Sequence, residues 1–187
     1  MDIEIEEMNY AYDAIKLKLH MRKLLTDHAI FTKQLIVDIL GDLPGIDYTI
    51  DRLIRSQEQT GNCFRSFFGD VAANNLVTLL KEHVIIEIDF LKSIKNGNTE
   101  DAATLEDQWT TNAENISTFL GTINQYYSID ELSDIFKTCL ILTKYQFIAR
   151  MDGDYNAEIM YFDMGLNHIL RISDCLTDGL VENFSED

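Results

Sequence analysis

Between Tyr10 and Val181 the apolar residues return every three or four positions, and the residues that stop helices are gathered into five short clusters. A chain patterned this way can fold into little besides long amphipathic helices. The clusters are Gly41-Asp42-Leu43-Pro44-Gly45, Phe68-Gly69-Asp70, Asn96-Gly97-Asn98, the stretch from Gly121 to Ser128, and Asp152-Gly153-Asp154. Each combines glycine, proline or short polar residues that end one helix and cap the next. Six helices are predicted, spanning about 10–40, 48–67, 71–95, 100–120, 129–151 and 155–181.

The stripes can be read residue by residue. Leu17, Met21, Leu24, His28, Phe31, Leu35 and Ile39 share one face of the first helix, and Leu76, Leu79, Leu80, His83, Ile86 and Phe90 one face of the third. In the fourth, Ala102, Leu105, Trp109, Ala113, Ile116, Phe119 and Ile123 do the same. Thr99 is predicted to cap that helix, with Glu100 and Asp101 favouring its dipole. Ser128 and Glu131 have capping-box spacing at the start of the fifth. Short connections between long helices imply antiparallel neighbours, so the expected fold is all-α, an antiparallel up-and-down bundle of five or six helices. One domain covers 1–187, with 1–9 and 183–187 expected as flexible ends.

Composition narrows the function classes. With 187 residues, 46% of them hydrophobic, the chain has material for one sizeable core. Acidic residues outnumber basic ones 32 to 15, a net charge of −17. Such a surface repels phosphate backbones and anionic lipid, so neither a nucleic acid nor a membrane is expected as partner. Protein partners and self-association stay open. The opening residues Met1 to Glu7 carry acids where a secretory signal needs bases, and no stretch is apolar enough to span a bilayer. Cys63, Cys139 and Cys175 form no even set and no C-x-x-C pair, which suits a reducing, cytoplasmic setting. Phosphate-cradling and nucleophile-elbow motifs are missing, and no catalytic set is recognisable.

The residues that break the apolar stripes carry the functional argument. His28 and His83 lie inside them, where an imidazole needs partners. His83 and Glu87, at i and i+4, share a face one turn apart, and His168 lies mid-way along the last helix. Gln57 interrupts the apolar face of the second helix. Three readings follow: a buried hydrogen-bond network serving packing alone, a pocket for a small organic ligand, or a transition-metal site. In the metal reading His28, His83 and His168 supply nitrogen and Glu87 oxygen, with Gln57 in support, and iron or zinc suits that donor set. Leu24-Leu25-Thr26-Asp27-His28 and Leu79-Leu80-Lys81-Glu82-His83 echo one another as Leu-Leu-x-acid-His, and Ile135 to Cys139 occupies the same place in the fifth helix.

Two resemblances bear on this. A helix histidine, a His-x-x-x-Glu helix and a later helix histidine resemble haemerythrin-like metal-binding bundles. Here Cys139 and Thr143 stand where those have a His-x-x-x-His helix, so a dinuclear site lacks ligands and a mononuclear one is what the resemblance allows. Asp27-His28, Asp42-Leu43-Pro44, Arg52-Leu53 with Gln57 and Gly61-Asn62, Phe68-Gly69, Leu79 to His83, Trp109 with Asn112-Ala113, and Gly153-Asp154 resemble a family of small bacterial helical-bundle proteins of unassigned function. That likeness runs from Leu24 to Leu180. It implies a histidine where this chain has Cys139, so that Cys139 stands as a substituted or lost ligand.

Overall fold

A computed structural model describes the backbone of residues 2–184 and the side chains of residues 12–183. Six helices make up the described residues: α1 (Asp2–Gly41), α2 (Ile46–Asn62), α3 (Arg65–Lys95), α4 (Thr99–Ile123), α5 (Ile129–Met151) and α6 (Tyr155–Phe184). Each packs against its neighbours in sequence, and α6 returns to pack along α1. The bundle is therefore a closed ring of six antiparallel helices, with α3 leaning inward to touch α1 and α5.

Ring closure has a geometric consequence. Helices in contact lie about 8–10 Å apart, so in a six-membered ring each axis stands about that far from the centre. A helix with its side chains has a radius of only about 5–6 Å. The middle must be filled by large side chains, by a helix that leans in, or by something else. Phe64, Phe90, Phe147, Leu35, Leu53 and Leu132 are among the fully buried side chains that fill part of it, each contributing about 1.5–3 kcal/mol by burial.

Helix ends follow the sequence closely, with three differences. α1 begins at Asp2 rather than near Tyr10, so residues 2–9 continue a helix where a flexible end was expected. Residues 1 and 185–187, part of those expected ends, lie outside the described residues. α2 ends at Asn62 rather than near Phe67, giving way to a turn at Cys63 and the fully buried Phe64 that keeps helical backbone angles. The chain reverses at Gly69, the predicted break, whose φ of 78° favours glycine; Glu58 pairs with Lys81 and Gly61 lies against Val77 across it. Lastly, Thr99 is the first residue of α4 rather than its cap, and Asn98 precedes it without a side-chain cap bond. The Ser128 cap does form, its Oγ accepting from the Glu131 N–H at 3.3 Å.

α1, α3 and α5 all end in the same way. A residue with positive φ follows each, Asp42 (49°), Gly97 (72°) and Gly153 (77°). The next N–H then reaches back to a carbonyl five residues earlier: Leu43 to Asp38, Asn98 to Ser93, and Asp154 to Ala149. This Schellman-type closure satisfies the last carbonyls and turns the chain tightly. The ring is thus three helix hairpins, which gives the Leu-Leu-x-acid-His echo a structural counterpart: its final residues, on α1, α3 and α5, all reach the centre. No helix among the described residues is long and apolar enough to cross a membrane.

Candidate functional site

At the centre lies an elongated cavity walled by side chains from all six helices. The space open to the centre of a water molecule is about 80 Å³. α6 borders it from Phe162 to Leu176, a run of about 20 Å at the helical rise. The wall is graded. Phe64, Leu76, Ile116, Leu120 and Leu176 surround one end, whereas His28, Thr32, Gln57, Glu87, Thr143 and Gln146 face the other part.

Helix register sorts these side chains into levels. Arg22 pairs with Asp174, and Lys18 with Asp178, so α1 and α6 run past one another with His28 level with His168, and Thr32 level with Gly165. Arg150 with Glu158 fixes α5 against α6 and brings Thr143 to the level of Gly165. One level therefore carries His28, Gln57, His83 and Cys139. The next, one helical turn along, carries Thr32, Glu87, Thr143 and Gly165, because each of the first three stands four residues beyond His28, His83 or Cys139.

The two histidines differ in how they are held. Trp109 donates its indole N–H to Nε2 of His83 at 3.0 Å, and His83 donates from Nδ1 to Asn112 Oδ1 at 2.8 Å. Asn112 in turn donates to the Leu79 carbonyl and to Glu82, both at 3.2 Å. Both ring nitrogens of His83 are thereby committed, and the ring is fixed neutral. Burial pushes its pKa down to about 4, against a smaller opposing effect of the Asn112 bond. His28 has one partner, Gln57, whose Nε2 donates to its Nδ1 at 2.9 Å. Its proton then sits on Nε2, facing no hydrogen-bond partner among the described residues. Burial, with His83 nearby, also lowers His28 to about 4.

Glu87 is the most strained electrostatically. It is 2% exposed, no lysine or arginine lines the cavity among the described residues, and its Oε1 has no hydrogen-bond partner. Burial pushes the carboxyl up to about 8, the nearby Thr32 hydroxyl acting weakly the other way. The group is a neutral acid at pH 7. Thr32 Oγ1, Thr60 Oγ1 and Gln146 Nε2 are also buried without partners, and all three border the cavity. A buried polar atom left unpaired costs about 1–3 kcal/mol, so four on one cavity are a concentrated cost unless something occupies it. The Cys139 thiol, raised to about 12 by burial, is inert as a nucleophile.

Of the residues singled out from sequence, His28, Gln57, His83, Glu87 and Cys139 come together on the wall, and His168 does not. His168 is level with His28, but the inward position on α6 belongs to Ile169. The His168 ring lies to the side near Arg171, its pKa lowered by partial burial and by that charge. Among the described residues no group of three or more His, Cys, Asp or Glu side chains stands close enough to hold a metal ion. The donors explain this: His83 has no free nitrogen and His168 faces elsewhere, leaving His28 and Glu87 beside a thiol that burial keeps protonated. Thr32, Thr60, Gln146 and Gly165 were not singled out from sequence. Thr32 had a signal, since it follows His28 at the spacing by which Glu87 follows His83.

Gly165 completes the site. A Cβ built there would meet only Leu142 Cβ, at 4.0 Å. It is a glycine in mid-helix with neither positive φ nor a close neighbour to require it, at a cost of about 1 kcal/mol relative to alanine. What its missing side chain leaves is room beside Thr32, Glu87 and Thr143. No family model, no curated protein and no solved structure matches this chain, so the site is read from its own geometry.

Proposed function

We propose that this protein is a ligand-binding bundle that holds a small organic molecule in its central cavity. The observation that carries the reading is the coincidence, on the wall of one cavity, of an apolar end, a polar end and four unpartnered buried atoms, Thr32 Oγ1, Thr60 Oγ1, Glu87 Oε1 and Gln146 Nε2. Pockets of this type, mostly apolar with a few converging polar groups, are where proteins hold small molecules. His83, Trp109 and Asn112 form a rigid wall, while His28, Glu87, Gln146 and the threonines keep free valences for a guest. The transition-metal reading keeps less support, because the histidines do not converge with a third donor.

The test compares the mass of the native purified protein with that of the denatured chain. It adds thermal unfolding with neutral, acidic and basic amphiphiles, using Gly165→Leu as a variant whose cavity is filled. A small molecule that co-purifies, or that raises the melting temperature of wild type but not of Gly165→Leu, supports the reading. Absence of uptake and of stabilisation across all three classes overturns it. Near-stoichiometric iron or zinc lost in His28→Ala would restore the metal site instead.

A further inference from the structure

The polar end of the cavity is rich in donors. Gln146 holds an unpaired amide N–H, His28, whose Nδ1 takes the Gln57 bond, an Nε2–H, and Thr32 a hydroxyl proton beside Glu87, while Thr60 lies a turn to the other side of His28. Glu87, held neutral, adds an O–H. A guest that satisfies them needs several lone pairs on one small head, and a carboxylate offers about four on two oxygens. An ammonium head is the reverse case: it would use Glu87 as acceptor yet leave the Gln146 amide and the His28 N–H unpaired. Phosphate and sulfate need cationic partners, and the wall has no lysine or arginine among the described residues. On these grounds, and resting on the ligand-binding reading above, we propose that the guest is an unbranched, medium-chain carboxylic acid, its head beside Glu87, Thr32 and Thr143 and its tail along the apolar end.

The shape of the cavity agrees. About 80 Å³ of accessible space along a wall of about 20 Å is narrow and suits one extended chain better than a branched or ring-bearing molecule. Gly165 leaves room for the head at the Glu87 level, while Phe64, Leu76, Ile116, Leu120 and Leu176 surround the tail. At the polar end the half-buried Phe162 lies on the wall between α1 and α6, with the Lys33 ammonium 4.4 Å from its ring centre. That places a cation near the head end in a protein of net charge −17.

Two carboxyls side by side cannot both ionise, so the bound pair shares one proton, and Glu87 brings it. The titratable groups on the wall are His28 from α1, His83 and Glu87 from α3, and Cys139 from α5, while α2, α4 and α6 bring none. Both imidazoles are neutral above about pH 6, and the thiol keeps its proton to about 12. Only Glu87 changes charge between neutral and alkaline pH. Acid binding must therefore weaken as Glu87 ionises, whereas binding of an amine must strengthen.

Decanoic acid, decylamine and 1-decanol serve as probes, titrated calorimetrically into wild type, Glu87→Gln and Gly165→Leu from about pH 6 to about pH 9.5. Decanoate is expected to bind wild type with level affinity up to about pH 7.5 and to lose about tenfold per pH unit above about pH 8. Glu87→Gln should keep the affinity and lose the fall, since an amide still donates but has no proton to give up. Gly165→Leu should not bind. Decylamine binding that strengthens with pH overturns the proposal, as does a decanoate affinity that is equal at both ends of the range or a fall that persists in Glu87→Gln. Decanol binding without decanoate binding also overturns the acid guest, yet leaves the ligand-binding reading standing. Failure of all three probes removes both.

Discussion

Gly165 and Gly179 lie on the same helix, four turns apart, and do opposite things. At Gly179 a Cβ would fall 2.1 Å from Cε1 of the Tyr127 ring, so only glycine lets the aromatic lie flat on α6. The polar groups there are paired: the Tyr127 hydroxyl donates to the Leu176 carbonyl at 2.6 Å, Asn124 Nδ2 to the Gly179 carbonyl at 2.8 Å, and the Tyr126 N–H to Asn124 Oδ1 at 3.0 Å. At Gly165 the nearest atom a Cβ would meet is 4.0 Å away, and the buried polar atoms at its level lack partners. One glycine is required by what touches it, the other leaves space that nothing in the protein fills. A bundle can thus seal one pole, which fixes its register, and leave open valences at another, where the proposed guest would bind.

The contrast can be broken most sharply at His83, the part of the cavity wall that is as fully paired as the Tyr127 pole. His83→Ala strands the Trp109 N–H and the Asn112 carbonyl and should cost about 2–3 kcal/mol in chemical denaturation. An equal loss in His28→Ala, which strands only one Gln57 bond, would mean that the two histidines are not differently held. Gly179→Ala comes next. Despite the better helix propensity of alanine it should destabilise by about 1–3 kcal/mol, through overpacking against Tyr127. Gly165→Ala should instead stabilise by about 0.5–1 kcal/mol. Thermal unfolding of the pair decides the matter, and a shared sign would show that the space at Gly165 is not open.

A pH series tests the same buried groups by titration. Unfolded imidazoles take protons near 6.5 but His28 and His83 in the fold only near 4, so between these values the unfolded chain holds more protons and stability falls as pH falls. Glu87 acts in the other direction. Its folded carboxyl keeps the proton to about 8 against an ordinary 4.5, so its contribution is complete at low pH and is lost as pH rises through about 8. Two histidines outweigh one carboxyl where the windows overlap, and unfolding free energy measured against pH should peak near 6.5. The decline above that peak should flatten in Glu87→Gln, and a decline left intact would assign it to another group.

Much of this was legible in the chain. The Leu-Leu-x-acid-His echo marked the levels of α1 and α3, and the Cys139 position marked that of α5, because repeated hairpins place equivalent residues at equivalent heights. Gln57 stood out as a polar residue on an apolar face, and it is the partner of His28. The threonines were harder to see, since a helix tolerates threonine on any face and only neighbouring helices decide whether its hydroxyl finds a partner. The break at Gly69 was a local signal and stood where expected, whereas the end of α2 at Asn62, next to the fully buried Phe64, is marked by no turn residue.

What the sequence determined by itself is the set of six helices, their antiparallel order and the residues that share a face, because a 3.6-residue period and tight helix stops are local properties. Tertiary structure decided the closing of the ring and the rotation of α6 within it. α6 carries an inward stripe, Phe162, Leu166, Ile169, Ile172, Leu176 and Leu180, while Ile159, Met160 and Met164 lie exposed on other faces. His168 is beside that stripe rather than on it. Packing against α1 and α5 turned Ile169 inward and His168 aside, and that rotation left the centre short of a third converging donor but with a polar-headed cavity.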